Sequence, residues 1–407
     1  MTKRISILIL CALLSTMFGC QSNRHAYPTD NSYHPETDCA FYLASFYDGT
    51  RLAETENGFY FSVNNTLLYF DYDTMDYTPL CSKPNCMHNN ETDPGKQAQC
   101  EAYFPAISWY SRVFLYNQSL YVFHKTGIGN QYCALTKVSL DGTERKTLFT
   151  FECFIPSFAI VHRGRFYCVV ETVSENAERF GELLSYSLDS PRQEPISHFK
   201  YKGRPNYEMV ITELFAYGNN VYFLEMREDN AVVEHVLDIT TGELTTLNIP
   251  DDFETTRYNL IADASLLSFY GKLGITTATY SGNPVGLYKR VAANSSAEYL
   301  GDYPYSTVCA DLDYLYLSDP YTGDTRNDSF RIYDHNLTLV DSIPFAQLPS
   351  HSAELLMCWL YPSSNDTLFF EAFYADGLYV YYYFSREDIG SGDIELTEFF
   401  RYRNGEY

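Results

Sequence analysis

Positive charge is scarce in this chain. Its 407 residues include 28 Lys and Arg against 52 Asp and Glu, a formal charge of −24. That argues against a nucleic-acid partner, which needs a basic footprint for phosphate, and against a basic patch docking on anionic lipid. Long apolar runs are also missing: the stretch over residues 5–14 is shorter than the ~20 residues that span a bilayer core. Helical periodicity is sparse, and the best short candidate, residues 352–360, suits a strand equally well. There is no G-x-S-x-G elbow and no H-E-x-x-H helix, so neither of those hydrolytic devices is encoded. Disorder is excluded for the bulk of the chain, because apolar residues make up 45% and aromatic residues 17%.

What is present begins with a leader. Lys3 and Arg4 precede the apolar run, and Gly19 stands directly before Cys20. This order resembles a bacterial lipoprotein signal over residues 1–19, with Cys20 acylated as the new N-terminus. Residues 20–38 are polar, with two prolines and no periodicity, and are expected to be a solvated spacer. The expected location is the extracytoplasmic face of a cell membrane, held there through the acyl chains.

Strand signals fill residues 39–407. Short runs rich in Tyr, Phe, Val and Leu, such as "GFYFSVNNTLLYFDYD", are cut by turn residues at close spacing. Asn64-Asn65, Asn219-Asn220, Asp141-Gly142 and Thr241-Gly242 supply residues that tolerate tight hairpins. A repeat aligns on Tyr60, Tyr121, Tyr167, Tyr222, Leu267, Tyr316 and Phe369, at spacings of 45 to 61 residues. Four-stranded propeller blades take ~40–50 residues each, so the expectation is an all-β chain forming one seven-bladed β-propeller, some blades carrying insertions. The ring is expected to close through residues 39–47 or 395–402 completing a sheet begun at the other end. Two β-sandwich domains are the alternative. The His and Trp-Asp pattern of one common propeller class is absent, so the reading rests on period alone.

One constellation stands out at residues 81–104, "CSKPNCMHNNETDPGKQAQCEAYF". Cys81, Cys86, His88 and Cys100 form a Cys3His set suited to zinc or iron, and Pro84-Asn85 can reverse the chain between the first two. In an exported protein the same cysteines also suit a disulfide, Cys81 with Cys86 or either with Cys100. Nine cysteines remain beyond the leader and Cys20, an odd number that cannot all pair internally. Cys168, Cys309 and Cys358 sit in strand patterns as small apolar residues. Such free thiols suit an organism that meets little oxygen, where a thiolate metal site gains ground.

The pattern C-x-K-P-x-C-x-H followed by a later cysteine, behind a lipoprotein leader and within a Tyr-rich repeat, resembles a group of β-propeller lipoproteins of gut Firmicutes. The resemblance implies the propeller, the surface location and a Gram-positive source, and it implies no activity. Residues 89–99 read as an insertion relative to that group.

Asp71, Asp73 and Asp76 present clustered carboxylates of the kind calcium takes, but without the tight-turn glycine of the familiar loop; a strand-ending turn explains them as well. The aromatic excess is expected mainly to fill space between sheets, with sugar stacking the alternative. The functional expectation is a non-catalytic module binding an envelope protein or carbohydrate. A polysaccharide hydrolase or lyase with channel carboxylates is the alternative, since such a pair need be close only in space.

Overall fold

A computed structural model describes residues 27–39, 52–63, 65–88, 91, 93–104, 112–126, 132–152, 158–173, 179–191, 193–202, 210–226, 232–248, 255–260, 265–270, 286–291, 298–301, 307–311, 313–318, 328–334, 336–348, 355–361, 363 and 365–403. The described chain is nearly all strand. Sheet 1 holds β1 (Leu52–Thr55), β2 (Gly58–Val63), β3 (Thr66–Asp71) and β4 (Asp76–Pro79); sheet 2 holds β5 (Arg112–Tyr116), β6 (Ser119–Lys125), β7 (Tyr132–Ser139) and β8 (Arg145–Glu152). Sheet 3 follows with β9 (Ala159–His162), β10 (Arg165–Val173), β11 (Arg179–Ser187) and β12 (Ile196–Lys202), and sheet 4 with β13 (Ile211–Tyr217), β14 (Asn220–Met226), β15 (Val232–Asp238) and β16 (Leu244–Asn248). Sheet 5 comprises β17 (Thr255–Leu260), β18 (Ser265–Tyr270), β19 (Gly286–Val291) and β20 (Glu298–Gly301). Sheet 6 comprises β21 (Thr307–Ala310), β22 (Tyr314–Ser318), β23 (Ser329–Asp334) and β24 (Leu339–Pro344), and sheet 7 β25 (Leu355–Tyr361), β26 (Thr367–Tyr374), β27 (Leu378–Ser385) and β28 (Thr397–Arg403). Every sheet is an antiparallel meander in which chain order and sheet order coincide.

The burial gradient explains the sequence pattern. Second strands are apolar on both faces, as in β6 and β2, because a sheet lies against each side of them. Fourth strands are less buried where described, and several blunt a free edge with charge or brevity: Arg145 and Lys146 in β8, Arg401 and Arg403 in β28, four residues ending in Pro79 in β4. Each of the seven repeat anchors falls on the second strand of its sheet.

Among the described residues, apolar clusters join five pairs of neighbouring sheets. Tyr60, Leu67, Val113, Leu120 and Val122 join sheets 1 and 2; Phe123, Leu135, Phe166 and Tyr186 join sheets 2 and 3. Tyr167, Val169, Leu214 and Phe223 join sheets 3 and 4, and Tyr316, Phe330, Phe370 and Tyr382 join sheets 6 and 7. Sheet 7 also packs on sheet 1, where the Phe59 and Phe369 ring centroids are 4.0 Å apart amid Phe61, Phe70, Tyr379 and Tyr381. The tyrosine run of β27 therefore serves two interfaces by strict alternation: Tyr379 and Tyr381 toward sheet 1, Val380 and Tyr382 toward sheet 6. First strands of neighbouring sheets approach one another along the series, β1 to β5, β5 to β9, β9 to β13, β17 to β21 and β21 to β25.

Three expectations need correction. The C-terminal segment 395–402 does not complete a sheet begun at the other end: β28 pairs with β27 of its own sheet, so its hydrogen bonds are met locally and sheet 7 meets sheet 1 through aromatic side chains instead. Residues 40–47, the other proposed closing strand, lie outside the described residues. At the Asn219-Asn220 turn the left-handed residue is Gly218, with φ +57, and Asn220 already belongs to β14. The third correction concerns the spacer. Residues 27–39 run along the body as a strap, held chiefly by Arg163 of the β9–β10 turn. Its guanidinium donates to the carbonyls of Pro28, Asp30 and Ser32 at 3.0, 2.8 and 2.9 Å, and pairs with Asp38 at 2.9 Å. Both side chains of that pair are sealed from solvent, at 1% and 0% exposure. A polar stretch reads as solvated only when the partner that satisfies it is unseen; here that partner lies 125 residues away from Asp38. Cys20 lies outside the described residues, and no helix among them is long and apolar enough to cross a membrane.

Candidate metal centre

The connection from β4 to β5 is built to return on itself. Leu80 continues β4 by donating its N–H to Leu67 O at 2.9 Å, and Lys83 to Cys86 form a turn in which Asn85 takes the left-handed conformation, φ 60°. On the return, Asp93 caps a single helical turn over Pro94–Gln97 by accepting from Gly95 N–H at 2.8 Å. Cys100 N–H then bonds Gln97 O at 3.0 Å, and the chain pairs beside β3: Leu67 N–H to Ala102 O and Phe104 N–H to Asn65 O, both 2.8 Å. The two limbs are cross-tied by Glu101, which accepts from Ser82 N–H and Oγ at 3.0 and 2.9 Å, and by Lys83 Nζ on Gln99 O.

This return brings together all four residues that the sequence singled out. One ligand atom each from Cys81, Cys86, His88 and Cys100 lies within 4.8 Å of all the others, and no other such group of three or more is found among the described residues. The three cysteines are free thiols. Cys100 Sγ lies 3.6 Å from His88 Nδ1. A tetrahedral zinc with Zn–S about 2.3 Å and Zn–N about 2.0–2.1 Å places sulfur and nitrogen about 3.6 Å apart, so the residues fit that ion.

The electrostatics point the same way. Burial opposes ionisation of Cys81, yet hydrogen bonds from the Lys83 and Glu101 N–H groups and from the Cys100 and Cys86 thiols hold it below the ordinary thiol value. Burial raises Cys100 to about 12 against the help of the Ala102 N–H, and the Cys86 and Cys81 sulfurs add to the rise. Thiols gathered this closely resist ionising together, an opposition that a bound cation would relieve. Burial lowers His88, which keeps its imidazole neutral and able to ligate. Three thiolates and a neutral imidazole on zinc carry one net negative charge. Arg145 at the start of β8 supplies a nearby positive one: its two terminal nitrogens donate to Tyr103 O at 3.0 and 3.1 Å, and its guanidinium lies 4.0 Å over the Phe104 ring.

The other candidates do not converge in this way. Asp71 Oδ1 accepts from the N–H groups of Asp73 and Thr74 at 3.0 and 2.9 Å, and Asp76 Oδ1 from Tyr77 N–H at 2.8 Å, which is the strand-ending-turn role. Buried carboxylates are engaged inside the fold: Glu171 accepts from Tyr201 Oη at 2.8 Å and Glu371 from Tyr361 Oη, while Asp311 binds Arg386 at 2.9 Å. Sequence reasoning missed Arg145 and the Ser82–Glu101 tie. Ser82 and Glu101 adjoin ligands, so pairing of the two limbs would have revealed them; nothing local marks Arg145.

No protein-family model and no curated protein matches the sequence. Solved structures do share the fold. A puromycin hydrolase superposes with a TM-score of 0.55 at 11% identity, covering 94% of this chain and 58% of that one. A prolyl endopeptidase gives 0.53 at 10%, covering 88% and 49%, and the acylaminoacyl peptidase of Pyrococcus horikoshii gives 0.50 at 9%, covering 89% and 54%. The chain therefore spans about half of the length of these enzymes. At such identities the likeness concerns the fold, which is β-rich and propeller-like.

Proposed function

We propose that this chain is a lipid-anchored, extracytoplasmic, seven-bladed β-propeller that acts as a non-catalytic binding or scaffold module, with its first interblade connection folded round a zinc ion. The single observation that carries this reading is the gathered ligand set: four protein side chains lie close enough to fill all positions of a tetrahedral zinc, which would make that ion structural rather than catalytic. Zinc bound there would supply cross-linking of the two limbs, with Cys81 and Cys86 on one and Cys100 on the other.

Several features support the ring. Seven sequential four-stranded sheets, first strands that approach one another along the series, and an aromatic interface between sheets 7 and 1 are what radial closure requires. The anchor reading rests on Cys20 behind its leader, and kinship with the gut Firmicutes lipoproteins rests on the Cys/His hairpin. The partner would be an envelope protein or a carbohydrate.

The test of the functional reading is turnover. Purified chain from Cys20 onward, incubated with panels of envelope and dietary polysaccharides and of peptides, is expected to release no product while retaining its zinc. Product formation lost on substituting one or two acidic residues would overturn it in favour of a hydrolase or lyase.

A further inference from the structure

The strap does more than cover a surface. Its contacts fall on the turns between first and second strands in three consecutive sheets. In sheet 2, Tyr27 Oη and Tyr116 Oη are 2.7 Å apart, and Tyr27 also donates to Asp189 in the β11–β12 turn of sheet 3, at the same end of that sheet as the β9–β10 turn. Gly164 in the β9–β10 turn, with φ +75, receives the Tyr27 ring where a Cβ would lie 2.2 Å from it. In sheet 4, Asn31 Oδ1 accepts from Asn219 N–H at 3.0 Å, Asn219 Nδ2 donates to Thr29 O at 2.6 Å, and Tyr33 stacks on Tyr217 at 14°. The strap ends where Cys39 N–H donates to His162 Nδ1 at 3.0 Å.

In a meander the first–second and third–fourth turns lie at one end of the sheet, and the second–third turn at the other. Sheet 4 shows this directly: Ile239, after β15, donates its N–H to Asn219 O at 2.9 Å. The strap thus marks one face. At the opposite ends of sheets 2 and 3, the exposed aromatics Tyr132, first in β7, and Phe180, second in β11, are each 44% accessible.

We infer that the strap face is the membrane-facing side, held there by acylated Cys20, and that the face bearing Tyr132 and Phe180 points away from the bilayer. This rests on the anchor reading. Seven Cα steps separate Cys20 from Tyr27, a reach of at most about 25 Å. A free spacer of nineteen residues, 20–38, would let either face meet the bilayer. The strap removes twelve of those residues, 27–38, from the tether and attaches them to one side. The acidic surface gives no attraction of its own to anionic lipid, so the tether's point of departure sets the orientation.

The test uses the chain from Cys20 onward, ligated through that N-terminal cysteine to a synthetic diacyl thioester and inserted in neutral lipid vesicles. It does not depend on whether the native host lipidates Cys20. A donor dye on an azide-bearing residue at Thr241, on the strap face, or at Tyr132, on the other, reports to an acceptor in the headgroups. The expected result is transfer at least about twofold stronger from position 241, since strands of this length separate the ends by about 20–25 Å. That difference should collapse in Arg163→Ala, which frees the strap, and shrink when twenty Gly/Ser residues are inserted after position 26, which leaves the strap docked and keeps the test informative if Arg163→Ala does not fold. Equal transfer from both positions in the unaltered chain, or a difference that survives the insertion, would overturn the inference. An unmodified Cys20 in protein from the native host would instead end the anchor reading and leave the strap result standing.

Discussion

At the scale of single residues, two groups dominate the strap. Arg163 and Asp38 form a buried pair whose removal on one side leaves a charge without compensation. Asp38→Ala is expected to cost about 3–5 kcal/mol in chemical denaturation; a loss below about 1 kcal/mol would mean that the strap is only loosely held. His162 gives the strap a pH dependence. Burial, opposed by Asp38 and the Gly218 carbonyl and aided by Arg163, lowers it to about 4, and its Nε2 donates to Gly218 O at 2.8 Å while Nδ1 accepts from Cys39. In the unfolded chain the imidazole takes its proton near 6.5, before the folded one does, so the stability it contributes is complete above ~6.5 and falls as the pH drops toward 4. The expected loss is on the order of 3 kcal/mol across that window, reduced in His162→Gln, with midpoints read at pH 7 and 4.5. Neither group was legible in the sequence. Asp38 sits in a stretch whose polarity looks like solvation, and Arg163 lies in a hairpin that signals only a turn. The Cys/His ligands were legible because their softness and nearness in sequence already limit what they can do.

Single elements show what local chemistry can and cannot announce. All seven repeat anchors mark second strands; where side chains are described, those strands are buried on both faces, and burial writes itself as an apolar run. Of the two expected closing segments, 395–402 does not serve, because β28 finds its partner, β27, within its own sheet. Two substitutions test individual turns. Gly164→Ala places a Cβ into the Tyr27 ring at a positive φ, so it is expected to destabilise the fold by about 1–3 kcal/mol and expose the strap to protease. Arg145→Ala removes the positive group beside the thiols and both bonds to Tyr103 O. Zinc affinity in competition with a chromogenic chelator should fall about 10–100-fold with the ligands intact.

For the molecule as a whole, the aromatic excess becomes the mortar between sheets, and the interface of sheet 7 with sheet 1 is where closure is tested. Phe59→Ala should cost about 3–5 kcal/mol, because Phe59 touches the rings of Phe369, Phe70 and Phe61 across and within that interface. A cost near that of an exposed position would mean an open array. On the proposed anchor reading the acidity adds no attraction to anionic lipid, so the tether alone would hold the protein at a membrane. The central claim is the zinc-bound hairpin, and elemental analysis of protein purified without a histidine tag tests it most directly. One equivalent of zinc per chain in the unaltered protein, lost in Cys86→Ser and in His88→Ala, is the predicted result. Metal-free protein whose peptide map contains a Cys81–Cys86 disulfide would contradict it.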